Sequence, residues 1–209
     1  MITDEALAWV AIVKDAVLSV SAIVAAYVGV RGLGAWRRQL RGNTEYQLAK
    51  IMLTSVYELR EAIAIVRNPL MHYSRVPDLP QEKLKEMPQR EREWHALAQA
   101  YQRRWELIPA AKAKLDANLL EAEVIWGPDI WTKVTPLNRL IGELLIAVQD
   151  HLDARNPNGR YESPGPELIK KRHETLYAIG ESDPFKERLD EVICSVENEL
   201  RPHIVQHHR

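Results

Sequence analysis

Cys194 is the single cysteine of the chain, which excludes an internal disulfide and any zinc site built on cysteine thiolates. A lone thiol fits a reducing compartment. No HExxH, GxSxG, P-loop or CxxC pattern occurs, so common signatures of zinc hydrolysis, serine nucleophiles, phosphate cradles and dithiol chemistry are missing. No histidine follows a glutamate by three residues, which removes the Glu-x-x-His pair of di-iron bundles. Nothing in the sequence implies a cofactor. The net charge is −1, and residues 43–209 are net −3. Such a domain is a poor match for nucleic acid, whose binding is driven by phosphate neutralisation. No segment alternates with period two for long enough to be a strand. The fold class read from these absences is all-α.

What the chain has is an apolar N-terminal segment. Leu7 to Val30 is interrupted only by Lys14 and Asp15, and as a helix its 24 residues reach ~36 Å, against a hydrocarbon core of ~30 Å. Its Leu, Ile and Val residues contribute roughly −3 to −7 kcal/mol of insertion preference. Two charges at the centre would cancel that, but Lys14 and Asp15 lie in the outer third, where a lysine snorkels to the headgroups. The flanks differ in sign. Residues 1–30 are net −2, and residues 31–42 carry Arg31, Arg37, Arg38 and Arg41 with no acid. The positive-inside rule then places the N-terminus outside and the remainder in the cytoplasm, at a plasma (inner) membrane. Trp9 and Trp36 stand near the two ends, as an aromatic belt would. Ser21, Ala25 and Gly29 recur every four residues, a small-xxx-small row through which two spans can approach and form a homo-oligomer. A cleavable leader needs a positive segment before the apolar run and is disfavoured. A buried core helix of a soluble protein is the competing reading.

Residues 43–209 read as a soluble helical bundle, separate from the anchor and flank at 1–42. At Asn43 or Thr44 a new helix is capped, or the anchor helix runs straight on. Leu48, Met52, Ser55, Leu59, Ala62 and Val66 form one stripe, widened by Ile51, Val56 and Ile63. It ends at Asn68-Pro69, and a proline-rich loop follows near 68–88. From about Arg90 one apolar phase runs through Trp94, Leu97, Tyr101, Trp105, Ile108, Leu115, Leu119 and Ala122. Pro109 makes this either a kinked helix or two coaxial ones. After Gly127-Pro128 a further stripe runs from Ile130 to Leu152, and a loop follows near 155–166. A helix from about Glu167 to Ile179 comes next. The last begins at Asp183-Pro184, an N-cap with proline at N1, carries Phe185, Leu189, Val192, Val196 and Leu200, and stops before Pro202. Three long stripes in this length bury one core as an antiparallel bundle, with Trp94, Trp105, Trp126 and Trp131 serving it.

A span running into Trp36-Arg37-Arg38-Gln39-Leu40-Arg41-Gly42-Asn43, a long helix from Tyr46 to Arg67 and a close in Glu199-Leu200-Arg201-Pro202 resemble bacterial single-pass membrane proteins with a cytosolic helical domain. That resemblance implies topology and no activity. Arg67-Asn68-Pro69-Leu70-Met71-His72 resembles the Arg-x4-His motif of HEPN ribonucleases, which implies a helical dimer whose Arg67 and His72 meet at an interface to cleave RNA. Pro69 breaks the helix that usually carries that motif. His203 and His207, spaced i, i+4, are a candidate metal pair that lacks a third ligand. Lys170-Lys171-Arg172-His173 reads as a solvated face. The leading expectation is a membrane-tethered interaction or regulatory module with an unidentified protein partner and no catalysis. A membrane-tethered effector enzyme is the alternative.

Overall fold

The computed structural model describes residues 4–69, 76–159, 165–178 and 182–205. Among these every element is an α-helix: α1 (Asp4–Arg67), α2 (Gln81–Glu86), α3 (Gln89–Trp105), α4 (Leu107–Trp126), α5 (Asp129–Asp153), α6 (Pro166–Leu176) and α7 (Pro184–Val205). The chain divides into two compact units, Met1–Tyr46 and Gln47–Arg209.

In the first unit α1 is one helix, long and apolar enough to cross a membrane. Of the two alternatives at Asn43-Thr44 the continuous helix is realised. Thr44 does not cap; its hydroxyl donates back to the Leu40 carbonyl at 3.1 Å, a bond that leaves the ladder intact.

The second unit is a packed bundle in which α5 lies against α3, α4, α6 and α7. Leu48, Met52, Ser55, Val56, Leu59, Ala62, Ile63 and Val66 of α1 are all buried, as the spacing predicts. Ile51 is the exception and faces out, half exposed. Ser55 is a polar residue in this stripe because its hydroxyl is matched twice: it donates to the Ile51 carbonyl and accepts from Asn118 of α4 at 2.9 Å. Of the tryptophans expected to serve the core, Trp105, Trp126 and Trp131 are partly buried and pack against it, and Trp94 donates its indole N–H to the Leu152 carbonyl at 2.9 Å. Smaller side chains and Phe185 fill the centre; the Trp94 and Trp131 indoles find acceptors at the rim, while the buried Trp126 N–H has no hydrogen-bond partner among the described residues.

Pro109 separates α3 from α4. It lacks the N–H that would bond the Trp105 carbonyl, so the ladder breaks at Glu106 and Pro109 falls in the first turn of α4, where no donor is needed. Pro202, by contrast, does not end α7, which continues to Val205; the predicted stop was wrong. Pro136 sits inside α5 in the same way. In both, the carbonyl deprived of its donor belongs to an exposed residue, Asn198 or Thr132, and water can satisfy it. In α7 the buried face is Phe185, Leu189, Ile193, Val196 and Leu200, with Val192 at its margin.

Gly127 joins α4 to α5 with φ 91° and ψ 177°, a region essentially reserved for glycine. A methyl group there would meet no atom within 4 Å, so any penalty is backbone strain alone. Gly127→Ala is expected to lower stability by about 1–3 kcal/mol, read as the denaturant midpoint. An unchanged midpoint would refute the assignment.

Candidate functional site

Arg67 ends α1, and its side chain is 4% exposed. The guanidinium grips the Asp183 carboxylate with both terminal nitrogens, at 2.9 and 2.8 Å. It also donates to the carbonyls of Thr175 (2.7 Å), Glu174 (3.0 Å) and Tyr177 (3.2 Å) at the end of α6. The ring of Phe185 lies 4.4 Å beneath. Asp183 is the predicted N-cap of α7, and its Oδ1 accepts the Lys186 N–H at 2.9 Å. Burial pushes the Asp183 carboxyl up, and the bonds from Arg67 and Lys186 outweigh it, holding the group below its ordinary value. One cation thus ties the end of α1 to the last carbonyls of α6 and the cap of α7, and the geometry gives it a structural task. His72, the other half of the ribonuclease pair, lies outside the described residues.

The more promising pocket is a cleft of about 260 Å³ between the end of α5 and α6. It is polar on one side. Arg155 donates to His151 Nδ1 at 3.0 Å. A guanidinium only donates, so Nδ1 accepts and the ring proton sits on Nε2, 3.2 Å from the Tyr177 hydroxyl. Burial first, then Arg155 and His173, push His151 down to about 4, and the imidazole is neutral at neutral pH. Tyr101 packs edge-on against the same ring at 5.4 Å; burial and Tyr177 raise its phenol, which stays protonated. Arg172 Nε lies 2.7 Å from Asp150 Oδ2. They attract as charges but are not aligned as a hydrogen bond, for that buried oxygen has no hydrogen-bond partner.

His151 makes stability depend on pH. The unfolded chain takes up its proton near 6.5, whereas the folded chain refuses it until about 4. The contribution is complete above pH 6.5 and is lost as pH falls toward 4. The denaturant midpoint is therefore expected to drop between pH 7 and pH 5 in the native chain, and to drop less in His151→Gln. Equal drops would refute the role.

The other predicted residues stand as follows. Ser21, Ala25 and Gly29 are exposed on α1, and Gly29 has open space around it. Arg31, Arg37 and Arg41 are exposed; Arg31 lies 5.4 Å from the Tyr27 ring, and Arg41 pairs with Glu45. Nothing is described of the Arg38 side chain. His203 stacks on Trp126 with ring centroids 4.4 Å apart; His207 lies outside the described residues. Among the described residues no cluster of His, Cys, Asp and Glu can hold a metal ion.

Sequence reasoning missed the cleft. It read the run at Lys170–His173 as solvated, and Lys170, Lys171 and His173 are indeed exposed while Arg172 is half-buried; what it did not see is that Arg172 and His173 also line the cleft. The available signal was His151, three residues after Val148 and so on the edge of the apolar stripe. Comparison of the chain with protein-family models, with curated proteins and with solved structures finds no match.

Proposed function

We propose that the chain is a membrane-tethered helical interaction module. The first part of α1 crosses the plasma (inner) membrane once, N-terminus out, with Arg31, Arg37, Arg38 and Arg41 on the cytoplasmic side. Residues 43–209 form a cytoplasmic bundle, antiparallel across the Gly127-Pro128 turn, that presents a surface to a protein partner without catalysis.

One observation carries the tether. Every residue from Val17 to Leu33 is exposed, including Val20, Ile23, Val24, Val28 and Val30. A helix apolar all round has no polar face to give to water and must be covered on every side. Lipid does this, and the arginines that follow favour lipid over a protein jacket. The Arg67 tie supports the absence of catalysis, because it spends on folding the cation that the ribonuclease reading needs.

Membrane fractionation with an alkaline wash tests the tether. The intact chain is expected in the pellet, with its C-terminal part digested only when protease is added from the cytoplasmic side. Recovery in the wash would sink the proposal.

A further inference from the structure

We infer that the cleft between α5 and α6 binds a small organic carboxylate, its charge held between Arg155 and Arg172 and its apolar body against Ile169 and Leu176. The reading is independent of the membrane tether. The first argument is size. At about 260 Å³ the cleft falls just under the usual range of ligand pockets, ~300–1,000 Å³, which suits a short molecule and excludes a folded segment.

Charge is the second argument. The cleft is lined by two arginines, Arg155 and Arg172, and a single acid, Asp150, and its His151 is neutral, so the arginines exceed the acid by one charge. Arg155 spends only one terminal nitrogen, on His151. Arg172 meets Asp150 through Nε, which leaves its terminal nitrogens without a bond among the described residues. Guanidinium edges of this kind pair in parallel with carboxylate oxygens. The last carbonyls of α5, which would repel an anion, are partly answered by Arg155, which donates to His151 O at 3.3 Å.

The third argument is the apolar wall. Ile169 is exposed while Leu176 beside it is buried, and a bare phosphate would leave that wall unused. A monoanion with a short hydrocarbon body matches both surfaces.

The test is a titration of the full chain in a neutral maltoside detergent, following the ring signals of His151 and His173 by NMR. Sodium isobutyrate is the probe, isobutyramide its uncharged counterpart and inorganic phosphate the competing anion. Saturable shifts with isobutyrate alone are expected, weakened about tenfold or more in Arg155→Gln and in Arg172→Gln. Arg155 is exposed, so its variant keeps the fold and decides the case if Arg172→Gln does not. No saturable shift, equal binding of the amide, phosphate binding as tightly as isobutyrate, or full binding by Arg155→Gln would each overturn the inference.

Discussion

Replacing Arg67 with methionine is expected to destabilise the bundle by about 3–5 kcal/mol, the range for removing one partner of a buried ion pair. Methionine fills much of the same volume over the Phe185 ring, so the loss is electrostatic and not a cavity. Two groups are stranded together. The Asp183 carboxylate, 13% exposed, keeps only its bond from Lys186, and the carbonyls of Glu174, Thr175 and Tyr177 lose the donor that covers them. Arg67→Lys is expected to recover little, because one ammonium cannot reach a carboxylate and three carbonyls at once. Adding Asp183→Asn to Arg67→Met should cost less than the two changes summed, since the second removes a charge the first left unpaired. Urea unfolding of the four chains measures this. A cost below about 1 kcal/mol for Arg67→Met would show a pair as weak as those on surfaces. The result also bears on the ribonuclease alternative: activity measured on an Arg67 variant reads folding as well as chemistry.

This tie also shows where sequence reading ends. The long helices were legible because each buries a stripe of period 3.6, and the period survives in Leu48 to Val66 and in Ile130 to Val148 whatever they pack against; α2 (Gln81–Glu86), a helix of six residues inside the loop read near 68–88, was too short to show one. Caps were legible where a short polar residue precedes a proline, as at Asp183-Pro184. Interior prolines were harder. Pro202 and Pro136 look like stops, and only the exposure of Asn198 and Thr132 makes them tolerable. Arg67 could be seen at the end of its helix, but its partner lies 116 positions further along, and no spacing rule joins them. The cleft needed more still. His151, Tyr177 and Tyr101 come from the end of α5, the segment after α6 and the body of α3, and each reads singly as the edge of an apolar face.

Two aspartates placed in the apolar run, Ile23→Asp with Val24→Asp, are expected to release the protein from the membrane. Both native side chains are exposed, 69% and 55%, and lie outside the compact unit Gln47–Arg209, so folding of that unit is not at stake. The arithmetic favours expulsion. The native run is worth roughly −3 to −7 kcal/mol of insertion, and each central charge costs about 2.5–3.5 kcal/mol while removing an apolar contribution. The pair brings the sum to between roughly −1 and +5 kcal/mol, so most or all of the insertion preference is gone. Lys14 differs because it lies nearer the segment's outer end and can reach the headgroups. After an alkaline wash the native chain should remain in the pellet and the double variant should leave it. Val124→Asp is the matched control, since Val124 is 86% exposed on α4 and carries no part of the span. If the double variant stays in the membrane as firmly as that control, lipid is not what covers α1, and a protein jacket takes its place.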